Sequence, residues 1–311
     1  MPTPSIQAPS IPTPPIPTPS IQARSTQARS TRAGRDRRDR CPGALRPWPA
    51  EDGLLVRLRL IGGQITSMQL RALAQVARDH GDGHVHVTSR ANLQLRAFPG
   101  TEGSLTDAAL TAIDGTGLLP SRTHELVRNI MFSPQSGLAG GRADLRPLGG
   151  ALDELICSDP RMAQLPGKFL IVLDDGHGDL RDHPADLGLV VLDADTAQLR
   201  IGRRWGPVVV LADAASALID CAARFLDVRG NGPSAPWHID ELDQPLTPST
   251  PPDPRLPEPA MPLPFGEVPG GEHVEVPDTG LDAAMITALT AGIDHLVVTP
   301  WRGVLVPGRH R

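Results

Sequence analysis

Lys168 is the only lysine among 30 basic residues. A chain that uses arginine everywhere else but keeps one compact ammonium, directly ahead of the apolar run 169–173, is marked at that point. An ammonium on a flexible stem enters crowded pockets where a planar guanidinium does not fit. Chance survival of one lysine is the competing reading. A second cluster is made of arginines and amides. Val56, Leu58 and Leu60 alternate with Arg57 and Arg59; Leu93 and Leu95 alternate with Asn92, Gln94 and Arg96, with Arg90 at the bend before them. Period-two alternation places the apolar set on one face of a strand and the guanidiniums and amides on the other. These open positions hold no acid, although residues 41–311 carry 23 bases against 33 acids. A basic patch on an acidic body concentrates anionic ligands, and the arginine fork grips a carboxylate at two points. A solvated outer face is the alternative.

Other clusters carry less. Asp174-Asp175-Gly176-His177-Gly178-Asp179 faintly resembles a calcium loop but lacks the bidentate glutamate at its twelfth position, so a turn between strands is expected. His124-Glu125 has Arg128 where a HExxH zinc motif needs its second histidine. Cys41, Cys157 and Cys221 are odd in number and far apart, and no CxxC-type spacing occurs. They read as reduced thiols, and no metal-ligand set is legible.

The elements that position these residues follow from periodicity. Thr66 with Gln69 is a capping-box pair opening a helix on Leu70, Leu73, Ala74 and Ala77. Strands around Val85–Val87 and Leu93–Leu95 and a helix over 104–114 complete a strand–helix–strand–strand–helix order, an α+β pattern close to a ferredoxin-like half. A helix near 150–157, strands over 169–173 and 187–192, and a helix over 213–227 fill the middle. Beyond a proline-rich stretch, a helix from Leu281 to Leu289 and strands over 296–298 and 304–306 follow. There, Val298-Thr299-Pro300-Trp301-Arg302-Gly303-Val304 echoes Val87-Thr88-Ser89-Arg90-Ala91-Asn92-Leu93. This weak internal repeat predicts two related halves joined into one sheet.

The expected organisation is a low-complexity, disordered leader over 1–40, a first half-domain over 41–118, an α/β domain over 119–243, a proline-rich linker over 244–275, and an incomplete second half-domain over 276–311. The leader repeats Pro-Thr-Pro-Ser-Ile-Gln-Ala and holds seven arginines and two acids, a composition unable to offset its ordering entropy. The acidic remainder argues against nucleic acid as a partner. No apolar run approaches the ~18 residues of a membrane span, and a cytoplasmic location is expected.

Seven segments in order carry a family resemblance: Cys-Pro-Gly-Ala-Leu-Arg (41–46), Arg-Leu-Ile-Gly-Gly-Gln-Ile-Thr (59–66), Val-Thr-Ser-Arg-Ala-Asn-Leu-Gln-Leu-Arg (87–96), His-Glu-Leu-Val-Arg-Asn-Ile (124–130), Leu-Pro-Gly-Lys-Phe (165–169), Asp-Asp-Gly-His-Gly-Asp (174–179) and Thr-Pro-Trp-Arg-Gly-Val (299–304). Together they resemble the precorrin-3B synthases of the nitrite/sulfite reductase ferredoxin-like superfamily, and more distantly the sirohaem reductases. The resemblance implies ferredoxin-like half-domains, the second incomplete, flanking a nitrite/sulfite reductase-type α/β domain, and for that domain, 119–243, it implies a tetrapyrrole pocket. It implies Lys168, Arg59 and Arg128 as catalytic residues facing the substrate. Arg90, Asn92, Gln94, Arg96, Asn129 and Arg302 are implied to bind an anionic tetrapyrrole, precorrin-3A. The implied reaction is oxygen-dependent hydroxylation with lactone formation, using dioxygen, iron, a 4Fe-4S cluster and an electron donor that the sequence does not identify.

Two departures qualify this. Leu170 stands where the reductases have a second lysine, which disfavours a sirohaem nitrite or sulfite reductase. The cluster cysteines are absent, so the chain reads as C-terminally truncated, and a non-catalytic tetrapyrrole-binding module is the rival of a different class. A smaller one is Ile61, where the family usually has proline.

Overall fold

The computed structural model describes residues 41–101, 103–232 and 234–309. The expectation for the leader, residues 1–40, lies outside them. The architecture is α+β. Its first part runs β1 (Trp48–Ala50), β2 (Gly53–Leu58), β3 (Gln64–Thr66), α1 (Ser67–His80), β4 (His86–Val87) and β5 (Leu93–Phe98). A small hairpin, β6 (Gly100–Thr101) and β7 (Ser104–Leu105), then leads to α2 (Asp107–Asp114). The capping box forms: the Thr66 hydroxyl accepts from the Gln69 backbone N–H at 3.1 Å, and the Thr66 N–H donates to Gln69 Oε1 at 3.1 Å.

The middle part holds β8 (Ile130–Phe132), α3 (Arg146–Ser158), β9 (Ile171–Asp174), β10 (Leu187–Val191), β11 (Thr196–Ile201), β12 (Arg204–Val210) and α4 (Ala214–Arg229). These strands form a mixed sheet in the order β12-β11-β10-β9-β8, parallel across β10, β9 and β8 and antiparallel elsewhere. Ile130, Phe132, Ile171 and Leu173 pack on the side of α3 and α4. Met131, Leu170 and Val172, on alternate positions, belong to a separate apolar cluster.

The last part contains β13 (Gly266–Val268), β14 (Gly271–Glu275), α5 (Ala283–Leu289), β15 (His295–Val298) and β16 (Gly303–Pro307). The stretch 244–275, expected to be a linker, thus ends in two strands. Before them it is tied down rather than free. Gln198 Oε1 accepts from the Asp253 N–H at 2.8 Å, Arg142 donates to the Arg255 carbonyl at 2.6 Å, and the Ala260 N–H donates to the Gly178 carbonyl at 2.9 Å. Proline content hid this, because a strap held by side chains and carbonyls leaves no periodic signal.

The internal repeat is expressed in the hydrogen bonds. The first sheet runs β1-β2-β5-β4, and β13-β14-β16-β15 repeats that order. At the two bends, the N–H of Thr88 donates to the Asn92 carbonyl and that of Thr299 to the Gly303 carbonyl, both at 2.9 Å. Ala91 (φ 54°) and Arg302 (φ 59°) occupy the same left-handed position in these bends. The halves do not merge into one sheet, however. They exchange the segment before their first helix: β3 pairs with β15, and Leu281, just ahead of α5, bridges to Val85. Gly63 makes this exchange possible, since its φ is 72° and a Cβ there would collide with the Val298 carbonyl. Both halves then share one core, in which Leu58, Leu70, Leu73 and Leu95 meet Leu296, Val298 and Val306.

Candidate functional site

The two bends of the repeat lie against the helix-free face of the middle sheet. Ala91 of the first and Trp301 of the second pack with Met131, Leu170, Val172, Leu180 and Ala185. Beside this apolar floor, Arg90, Lys168, Leu170, Asp186, Trp237 and His238 line a cleft of about 230 Å³.

Local chemistry sets Arg90 in place. The Thr88 hydroxyl accepts from the Asn92 N–H at 3.2 Å, which closes the bend. Arg90 then donates through Nη1 to the Lys168 carbonyl at 3.0 Å. That bond fixes the guanidinium against the loop carrying the single lysine. The Lys168 ammonium stands 5.9 Å from the centre of the Trp237 ring, a cation–π distance. Asp186 forms the base of the cleft: Oδ2 accepts from the Leu170 N–H and Oδ1 from the Ile239 N–H, each at 3.0 Å. Burial pushes its carboxyl up to about 6, against the opposing pulls of His238, these two N–H groups and Arg90.

The remaining expected site residues are placed as follows. Asn92 is buried, and its Oδ1 accepts from the Leu60 N–H at 2.8 Å, fastening the bend to β2. Arg59 is buried too; it donates to Asn129 Oδ1 at 3.0 Å and to the Pro42 carbonyl at 3.2 Å. Asn129 in turn donates to the Gly167 carbonyl at 3.0 Å, so this pair supports the lysine loop from behind. Arg128 faces Asp153 of α3 instead of the cleft, in a two-point bond of 2.6 and 2.8 Å. Arg302 pairs at the surface with Asp278 at 2.6 Å. Gln94 accepts from Arg57 Nη2 at 3.3 Å.

Arg96 is held by Asp52 at 2.8 Å, with both side chains over a third exposed. Exposed pairs of this kind are worth about 0–1 kcal/mol. Arg96→Ala is therefore expected to leave the unfolding midpoint in urea almost unchanged, and ligand affinity as well.

Asp186, Trp237 and His238 were not singled out from the sequence, because they sit in loops whose approach to Lys168 depends on tertiary structure. Arg57 gains weight: its Nε is buried with no hydrogen-bond partner among the described residues. Burial lowers its pKa, nearby Cys41 opposes the shift, and Arg90 adds to it. The 174–179 turn caps itself. Asp174 Oδ1 accepts from the N–H groups of Gly176 and Gly178, and Oδ2 from that of Leu180, so its carboxylate serves the backbone.

Comparison with known proteins agrees with this geometry. Residues 48–102 match the nitrite/sulfite reductase ferredoxin-like half domain. A precorrin-3B synthase from Sinorhizobium sp is 30% identical over 146 residues, covering 45% of this chain and 29% of that protein. A ferredoxin–nitrite reductase from Leptolyngbya laminosa is 33% identical over 150 residues, 45% of this chain and 28% of its own. The chloroplastic ferredoxin–nitrite reductase of Arabidopsis thaliana is 29% identical over 220 residues, 60% of this chain and 36% of its own. The chain thus spans about a third of these relatives. Among solved structures, the NirA protein of Mycobacterium tuberculosis superposes with a TM-score of 0.52 at 17% identity, over 82% of this chain and 54% of that one. Within the matched stretch 48–102 the Arg90 bend reaches the cleft, while the segments entering β9 and β10 contribute Lys168 and Asp186.

Proposed function

We propose that the chain is the tetrapyrrole-binding part of a precorrin-3B synthase-type oxidoreductase, with precorrin-3A as substrate and the units 41–118, 119–243 and 276–311 as its working divisions. The observation that carries the reading is the bond from Arg90 to the Lys168 carbonyl, which sets two cations on one cleft between the first bend and the middle sheet. The cleft is smaller than the roughly 300–1,000 Å³ of a pocket that encloses a drug-sized ligand. It suits one carboxylate arm of a macrocycle whose ring lies across the adjoining apolar floor. Arg90 and Lys168 then hold the arm. Asn92, Asn129 and Arg59 keep these groups in position.

The described residues do not fit a four-cysteine iron–sulfur cluster. Cys221 is on the buried face of α4, Cys157 lies beside Asp153 on α3, and Cys41 is buried in the segment ahead of β1. No group of three or more His, Cys, Asp or Glu side chains among the described residues is arranged to hold a metal. The proposed hydroxylation and lactone formation, with dioxygen as co-substrate, is therefore assigned to the whole enzyme type, and no step is routed through a cluster here. Leu170, buried at the cleft in place of a second cation, favours this reading over sirohaem-dependent reduction of nitrite or sulfite. A binding module without catalysis is the second reading, favoured by the same cysteine arrangement. Among the described residues no helix is long and apolar enough to cross a membrane; a cytoplasmic enzyme is part of the proposal.

The test is a titration with uroporphyrin, an octacarboxylate ring, followed by absorbance at low and moderate salt. Saturable binding that weakens as salt rises is expected. No binding at low salt would sink the tetrapyrrole reading.

A further inference from the structure

The cleft pairs its cations with an acid that their task does not require. Asp186 is only 2% exposed, yet it lines the cleft with Arg90 and Lys168. Its two oxygens tie the lysine loop at Leu170 to the opposite wall at Ile239. On that wall the Asp240 N–H donates to His238 Nδ1 at 3.1 Å. The proton of the neutral imidazole therefore sits on Nε2, which stands 3.7 Å from Asp186 Oδ1. The charged or titratable groups around Asp186 are Arg90 from the bend, Lys168 from its loop, and His238 and Glu241 from the facing segment.

We propose that this cleft binds a carboxylate and takes up one proton with it, Asp186 being the group that accepts the proton. The inference rests on reading the cleft as an anion site and adds the thermodynamic coupling. A ligand carboxylate seated on Arg90 and Lys168 places a second negative charge beside a buried one. Like charges in one site raise the acid's proton affinity, and two close carboxylates end by sharing a proton. Free Asp186 already titrates near 6, so only a small further rise is needed for protonation at neutral pH. The sign follows from linkage. Between the free and the liganded titration points the complex holds one more proton than its components, so affinity increases about tenfold for each pH unit lowered. Below about 6 the free acid is already protonated and the gain levels off.

Uroporphyrin and citrate, a small tricarboxylate, are titrated into the full chain from pH 8 to pH 5.5, with quenching of tryptophan fluorescence as the readout and Trp237→Phe as the control for its origin. Calorimetry of the parent in two buffers of different ionisation enthalpy counts protons directly and needs no variant. Net proton uptake, a substantial fraction of one proton per bound ligand at pH 7, is expected, with affinity rising toward pH 6. Asp186→Asn, which imitates the protonated acid, is expected to abolish the slope and to bind at pH 8 at least as tightly as the parent. A residue that merely braces the walls would instead lose affinity at every pH when changed, and that result would overturn the proposal. So would zero proton uptake by the parent, or a slope kept in Asp186→Asn and lost in His238→Gln. Should citrate bind with proton uptake while uroporphyrin does not bind, the carboxylate site stands and the tetrapyrrole reading falls.

Discussion

Arg128→Ala is expected to cost about 3–5 kcal/mol of folding stability, the range for removing one partner of a buried ion pair. The guanidinium is 7% exposed and grips Asp153, itself 21% exposed, through two bonds. The pair joins the segment entering β8 to α3, so it fixes a helix on the edge of the middle sheet. Without Arg128 the Asp153 carboxylate stays half-buried, with the Cys157 thiol at 4.0 Å and no cation in place. Burial first, and Asp153 second, already push that thiol's pKa up. Denaturant unfolding of Arg128→Ala, Asp153→Ala and the double variant separates the causes. If the double variant recovers much of the loss, the cost lies in the stranded carboxylate; a loss under 1 kcal/mol in Arg128→Ala would show the pair to be solvated. The residue would then be free to serve the ligand, as its place in the family motif implied.

The contrast between Arg128 and Arg90 shows where sequence reasoning reaches its limit. Both arginines stand in family-like segments, and strand alternation assigns an open face to the neighbours of Arg90. Nothing in the sequence near Arg128 reveals that Asp153, a helix turn away from Cys157 and 25 positions along the chain, will absorb its charge. The elements were legible where burial is one-sided: α1 through its capping box and apolar stripe, β2 and β5 through alternation, α4 through a long amphipathic run. β9 and β10, buried on both faces, were legible as continuous apolar runs; strands with neither alternation nor such a run were not. β11 and β12 follow a tight turn and mix Gln, Arg, Gly and Pro, while β13 and β14 hide behind 20 residues rich in proline. The repeat at the two bends was visible as residues, but not as an exchange of strands, because pairing partners are a long-range property. The cleft follows the same rule. Its cations were marked by type, Lys168 as the lone lysine and Arg90 at a bend, whereas Asp186 and His238 acquire meaning only through the loops that carry them.

The largest effect on binding is expected from removing both cleft cations. A hydrogen bond to a charged partner contributes about 1.5–3 kcal/mol when shielded, and far less when water reaches it. Arg90 is partly buried but its bond to the Lys168 carbonyl is exposed, so its contribution belongs at the low end of the shielded range; Lys168 is exposed and earns a larger discount. At about 1.4 kcal/mol per factor of ten, Arg90→Ala is expected to weaken uroporphyrin binding about tenfold or more. Lys168→Ala has the smaller effect, and the double variant loses the product of the two factors, several tens of fold. Lys168→Arg is also expected to bind poorly despite its charge. A guanidinium is broad and planar, and it does not reproduce a compact ammonium 5.9 Å from the centre of the Trp237 ring. Arg57→Ala serves as the graded case, since its Nε is a donor without a partner rather than one already engaged. Each variant is titrated at one fixed salt concentration and again at a higher one. Loss of affinity accompanied by a shallower salt dependence identifies a charge in contact with the ligand. Unchanged affinity in Arg90→Ala and in the double variant would mean that the cleft is a solvated surface, and that the ring's carboxylates are held elsewhere in the molecule.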